Sequence, residues 1–268
     1  MKKKRIIPIL LLRNGWLVQS KQFKRYQNLG NPISAVKRLS QWGSDELIYL
    51  DISTVDNHDM RRDDLGHPNR SSILEIIEDV SKEAFMPITV GGRIRSLADI
   101  EKRLALGADK IAVNTVALEH PEFIAQASRE FGAQCIVVSI DVKLIEGAYK
   151  VMRGGAREVT ALSARDWARQ VEQLGAGEIL LNSVDRDGMK NGYDIELLNT
   201  VCNSVRIPVI ACGGVGEWDH FAEALQESGV DAVAAANIFH YNDQSVYLAK
   251  KHLFEQGLNC RPPQLLAI

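Results

Sequence analysis

The chain has 268 residues, with 32 basic against 34 acidic side chains and a net charge of −2. That balance gives no electrostatic reason to bind nucleic acid or an anionic membrane. With 46% hydrophobic and 25% charged residues it has a soluble composition, and its length fits two small domains or one large core.

In chain order, the first apolar run is "RIIPILLL" (5–12). The basic residues ahead of it invite a signal-peptide reading, but the run stops at Arg13 and no small-residue cleavage site follows. A buried strand with basic residues outside it is expected instead. Further runs are "ELIYLD" (46–51), "PITVGG" (87–92), "KIAVNT" (110–115), "CIVVSID" (135–141), "EILLNS" (178–183), "PVIACGG" (208–214) and "AVAAAN" (232–237). Continuous Val, Ile and Leu suit parallel strands buried on both faces. Between them, stretches such as "NPISAVKRLSQWG" (31–43), "SSILEIIEDVSKE" (71–83) and "SARDWARQVEQLG" (163–175) predict helices, several stopping at Gly.

Strands alternating with helices, and no Pro/Ser-rich linker, predict an α/β fold: one (β/α)8 barrel domain over residues 1–268. An open doubly wound sheet is the alternative. The halves also repeat, since "GSDELIYLD" (43–51) resembles "GAGEILLNS" (175–183) and "GADKIAVN" (107–114) resembles "GVDAVAAAN" (229–237). Two related half-barrels are expected. No stretch approaches the roughly 18 apolar residues of a membrane span. Cys135, Cys202, Cys212 and Cys260 have no zinc or redox spacing, so reduced thiols in a cytoplasmic protein are expected, with neither metal nor cofactor.

Barrels of this kind build their sites at the strands' C-terminal ends, where glycine-rich turns into helix N-termini hold phosphate. "CGGVGEWDHF" (212–221) fits through Gly213, Gly214 and Gly216, with Ala236 and Asn237 of "AANIF" close by in the pattern. A tight turn with no ligand is the plainer alternative. The counterpart is "GGRIRSLAD" (91–99) with "VNT" (113–115), where Arg93 follows Gly92 in place of a third glycine. Carboxylates also end strands: Asp51, Asp141 and the "DRDG" of 185–188. Asp141 follows an apolar run and is expected to be desolvated and suited to acid/base work, whereas Asp51 is expected to bond its own loop. At the other end, Arg5, Glu46, Lys110 and Glu178 each start a run. They either solvate the barrel's bottom or form a closed ring around its axis.

The segments "KRIIP", "DELIYLDIS", "VGGRIRS", "GADKIAVNT", "CIVVSIDVK", "GAGEILLNSVDRDG" and "AANIFHY" resemble the cyclase subunit of imidazole glycerol phosphate synthase over nearly the whole chain. In that family a glutaminase subunit docks at the barrel bottom. Ammonia then crosses the barrel to a bis-phosphorylated substrate at the top. The resemblance implies a gate of Arg5, Glu46, Lys110 and Glu178, a catalytic Asp141, and phosphate-binding residues Gly92, Asn114, Thr115, Asp187, Gly188, Gly213, Gly214 and Ala236.

Departures cluster at the top. Leu11 stands where the family has its other catalytic aspartate, Gln19 where it has a loop lysine, Arg93 where it has glycine and Asn237 where serine is usual. The segment 54–70 is also longer than usual. Because Leu11 cannot move a proton, a changed acceptor with a retained ammonia supply is expected. Relatives of this kind serve amidino-sugar formation in bacterial surface polysaccharides, which points to a nucleotide-linked sugar. The alternatives are the histidine-pathway cyclase itself and a non-catalytic scaffold that activates a glutaminase.

Overall fold

The computed structural model describes residues 2–53, 58, 69–240 and 245–266. Its chain order is β1 (Arg5–Arg13), β2 (Trp16–Lys21), β3 (Arg25–Gly30), α1 (Pro32–Gln41), β4 (Leu47–Asp51), α2 (Ile73–Glu83), β5 (Ile88–Gly91), α3 (Leu97–Ala105), β6 (Lys110–Val113), α4 (Thr115–Glu119), α5 (Glu122–Phe131) and β7 (Ile136–Ile145). Then come β8 (Ala148–Arg153), β9 (Glu158–Ser163), α6 (Ala164–Gln173), β10 (Glu178–Ser183), α7 (Ile195–Cys202), β11 (Val209–Cys212), α8 (Trp218–Glu227), β12 (Ala232–Ala235) and α9 (Val246–Glu255).

Eight of these strands pair in parallel as a closed circuit, β1–β4–β5–β6–β7–β10–β11–β12 and back to β1. Closure excludes the open-sheet alternative: Arg5 through Pro8 of β1 lie opposite Ala232 through Ala235 of β12. The strand limits follow the apolar runs closely. The main differences are that β6 stops at Val113, before Asn114 at the start of α4, and that β7 runs on to Ile145.

The helices start where local chemistry starts them. Asn31 accepts the Ile33 N–H ahead of α1, whose first residue is Pro32, a proline placed where its missing N–H costs nothing. Ser96 and Asp99 form a reciprocal capping box on α3.

Two cores result. Ile7, Ile9, Ile48, Val137, Leu180 and Ile210 fill the barrel beside the small Ala112, Ala232 and Ala234. A larger shell between sheet and helices includes Val36, Ile76, Trp167 and Phe221.

The half-barrel repeat has a structural counterpart that the apolar runs do not announce. The first and fifth barrel strands both run past the rim into antiparallel hairpins, β1–β2–β3 and β7–β8–β9. Each first turn has two successive residues of positive φ, Asn14 (53°) and Gly15 (83°), then Glu146 (50°) and Gly147 (76°). That is the turn geometry matching the twist of a two-residue hairpin. The readable signal is "RNGW", an Asn-Gly pair between two strand-like segments.

Burial sets unequal costs on these elements. Trp167 of α6 is 1% exposed, whereas Val159 of β9 is 55% exposed. Trp167→Ala is expected to cost about 3–5 kcal/mol in denaturant unfolding, and Val159→Ala no more than about 0.5 kcal/mol.

Candidate active site

The barrel interior is layered by register. At the C-terminal rim Leu11 lies opposite Leu50, and Leu50 opposite Gly91. Asn182 lies opposite both Asp141 and Cys212. Leu11, Leu50, Cys212 and Ala236 pack on the interior cluster from above, so Leu11 continues the apolar lining upward.

Asp141 is buried within this rim. Asn114 Nδ2 donates to its Oδ2 at 2.8 Å, and Asn182 Nδ2 approaches its Oδ1 at 3.3 Å. Burial pushes the carboxyl up to about 6; the two amides oppose that rise and the charge of Asp187 adds to it. A carboxyl titrating there accepts or gives a proton near neutrality. Sequence reading placed Asn114 beside an anion; its amide instead faces Asp141, while Thr115 is exposed at the start of α4. Asn182 was not singled out, because nothing in "EILLNS" distinguishes an inward Asn before the register is known.

The loops after the sixth and seventh barrel strands pack together. Gly214 is required by a close approach: a Cβ there would sit 2.0 Å from the Gly192 carbonyl oxygen. Asp187, Gly188 and Asn237, however, are engaged with the tip of the β2–β3 hairpin. Asp187 Oδ2 accepts from Ser20 Oγ (2.8 Å) and from the Phe23 N–H (3.2 Å), and its carbonyl accepts from the Gln22 N–H (3.0 Å). Asn237 Nδ2 donates to the Ser20 carbonyl at 2.7 Å, and Gly188 leaves room for that same carbonyl. The hairpin therefore lies against the anion loops. Gln19, on its β2 strand, donates to Gln27 across the pair.

In the other half, Gly92 packs directly on the Asp51 backbone, where a Cβ would meet the carbonyl oxygen at 2.0 Å. Arg103, 4% exposed, donates from beneath to the Gly92 carbonyl at 3.3 Å. Arg93 has a positive φ of 57°, a conformation glycine would adopt more easily. Asp51 accepts the Ser53 N–H of its own loop at 2.9 Å, as expected. Of the longer segment 54–70, His58, Asn69 and Arg70 are described: His58 Nδ1 contacts the Arg70 carbonyl and Asn69 Nδ2 donates to the Asn14 carbonyl. Residues 54–57 and 59–68 lie outside the described residues.

At the opposite end the four charged residues close a ring. Arg5 Nη1 meets Glu46 Oε1 at 2.5 Å and Nη2 bonds Glu178; Lys110 Nζ bonds Glu46 and Glu178, each at 3.0 Å. The Glu178 and Glu46 side chains are only 6% and 10% exposed. Burial pulls the Arg5 pKa down, but hydrogen bonds and charge from Glu178 and Glu46 outweigh it and raise the pKa above its ordinary value. Of the two possibilities the sequence left open, the ring is the one the structure contains. Among the described residues no cluster of His, Cys, Asp and Glu has metal-binding geometry, and no helix is long and apolar enough to cross a membrane.

A closed (β/α)8 barrel with a desolvated carboxyl at its mouth and a charged ring across its base defines the class, a half-barrel-repeat protein of the enzyme type. The chain belongs to the histidine biosynthesis protein family, whose sequence pattern matches residues 5–245. It is similar to "Imidazole glycerol phosphate synthase subunit HisF" of Alkaliphilus metalliredigens (strain QYMF), at 41% identity over 259 residues, 96% of this chain and 98% of that one.

Three measurements probe the site without a substrate. The folded-state pKa of Asp141 is raised, so the fold favours the protonated form and stability falls as pH rises from about 4 through about 6. Thermal melts between pH 4 and 7 are expected to show that loss in the wild type and to lack it in Asp141→Asn, while carboxyl NMR of Asn182→Ala shows Asp141 titrating higher still. Asp187→Ala is expected to release the hairpin tip, read as faster limited proteolysis at Lys21 and Lys24 with cleavage elsewhere unchanged.

Proposed function

We propose that this chain is the ammonia-accepting subunit of a glutamine amidotransferase pair, acting on an acceptor other than that of the histidine-pathway cyclase. Over residues 1–268 it works as one barrel: a glutaminase docks at the base, ammonia passes the ring of Arg5, Glu46, Lys110 and Glu178, and the acceptor is amidated at the top. What carries the reading is the contrast between the two ends. The base ring is complete, and an apolar lining runs from it to Asp141. Leu11 adds no carboxylate to the mouth.

The physical logic is permissive for neutral ammonia. Ile7, Ile9, Ile48, Val137 and Leu180 give an ion no compensation for lost hydration, while a small neutral amine loses far less. At the rim, Asp141 takes a proton from the attacking nitrogen or returns one to the leaving oxygen, a role worth roughly 10²–10⁴-fold in rate. The backbone of Gly92, Gly213, Gly214 and Ala236, with Arg93, Thr115 and Asn237, receives the phosphorylated end of the acceptor once the hairpin tip lifts from Asp187 and Gly188. Oriented N–H groups and a guanidinium suit phosphate groups. A nucleotide-linked sugar of surface polysaccharides is the acceptor this reading favours.

A second reading has a specific observation behind it. The 41% identity over 96% of the chain to an imidazole glycerol phosphate synthase subunit favours the histidine-pathway cyclase, with Leu11 tolerated. The two readings separate on ammonium-dependent conversion of the ribulosyl formimino substrate by the purified chain, with and without Leu11→Asp. No turnover by the folded wild type and a gain with Leu11→Asp is the expected result; turnover by the wild type establishes the second reading. With the acceptor in hand, Asp141→Asn is expected to lower turnover by about 10²–10⁴-fold. Glu46→Ala should impair glutamine-driven turnover more than ammonium-driven turnover, and equal losses would remove the ammonia route.

A further inference from the structure

Beside the ring, the barrel base holds a second ion pair that the reading above does not use. Lys250 on α9 and Asp45, the residue before Glu46, have side chains 3% and 1% exposed, with Nζ and Oδ1 2.7 Å apart. Lys250 Nζ also donates to the Gly43 carbonyl. The other carboxylate oxygen of Asp45, Oδ2, accepts the Ile6 backbone N–H at 2.9 Å. Arg261 Nε lies 3.6 Å from Oδ1 on the exposed side.

The two backbone positions that this pair joins, Asp45 and Ile6, are chain neighbours of Glu46 and Arg5, which touch each other in the ring. The sheet does little to hold them there. Regular pairing of β1 with β4 begins only at Ile9 opposite Ile48, and at the level of Arg5 the partner of β1 is β12. Below Ile9, the Ile6 N–H to Asp45 Oδ2 bond and a long Asp45 N–H to Ile6 carbonyl contact (3.4 Å) tie the two segments. We infer that Lys250 is a positioning residue for the ring: by neutralising and orienting Asp45 it fixes the start of β1 against the segment before β4, and so sets the Arg5–Glu46 contact. The inference rests on the ring's being the ammonia gate only for its functional meaning, since its geometric content stands apart from that reading.

The chemistry makes a reciprocal test possible. The Asp45 carboxylate serves two donors at once, Lys250 through Oδ1 and Ile6 through Oδ2. Lys250→Met leaves that buried charge without its partner, which is strongly unfavourable, so the carboxylate must protonate, hydrate or draw in Arg261. Asp45→Asn leaves one acceptor for two donors, and the charged amine outcompetes the amide N–H. Combining the two substitutions removes the charged competitor and returns the single acceptor to Ile6.

The readout is solvent exchange of the Arg5 guanidinium protons by NMR of the full chain carrying ¹⁵N-arginine, with buried Arg103 at the opposite end as internal reference. Each single variant is expected to speed Arg5 exchange at least about tenfold, as easier local opening does, with Arg103 unchanged, and the double variant to recover wild-type exchange. A folded single variant with wild-type Arg5 exchange overturns the inference, as does equal acceleration at Arg103 or a double variant no slower than the singles. If Lys250→Met alone fails to fold, Asp45→Asn and the double variant decide by the same criteria. None of these outcomes depends on ammonia, so failure here leaves the Glu46→Ala comparison of glutamine and ammonium to judge the gate independently.

Discussion

Closing eight parallel strands into a circuit settles the direction of every second side chain, and the site follows from that constraint. Once Arg5 faces the axis, so must Ile7, Ile9 and Leu11; once Glu178 does, so must Leu180 and Asn182. The same alternation stacks Ile48 and Leu50 on the second barrel strand, just past Glu46, and Lys110 and Ala112 on the fourth, just before Asn114. A barrel with charges at its base, hydrocarbon in its middle and polar groups at its mouth is thus the sum of eight short registers. A slip of one residue in any strand would exchange its inward and outward sets.

Charge is handled differently at the two ends, and desolvation explains why. The base ring alternates two cations with two carboxylates, so each buried charge has partners of opposite sign. Asp141 has neutral amides for company, and burial accordingly drives its pKa up. A second carboxylate at Leu11 would have added charge to this mouth. Hydrocarbon there extends the apolar lining up to the level of the rim.

Much of this was legible before any coordinates. Buried parallel strands carry continuous apolar runs, so all eight were visible, and the closed barrel followed from their alternation with helices. The ring was visible as four charged residues each starting a run, though spacing alone favoured a solvated face. What escaped notice depends on contacts between distant segments. Asn182 becomes an Asp141 partner only through the pairing of β10 with β7, and Lys250 meets Asp45 across 205 positions. The hairpins escaped for another reason: β3 and β9 contain no buried residue and lack the continuous apolar run of a buried strand.

The two hairpins also show how two similar half-barrels come to differ at the mouth. Each begins from the same construction, a barrel strand extended past the rim and turned through two positive-φ residues. Their contacts then differ. The second hairpin lies against α6 and pairs Tyr149 with Asp194. The first is held by Asp187 and Asn237, which belong to the half of the barrel that does not encode it. A hairpin tip sitting on the other half's loops gives the mouth an asymmetry that the backbone repeat lacks. Asp187 Oδ2, the Gly188 backbone and the Asn237 amide all face Ser20 of that tip, so one residue of the first half meets three from the second.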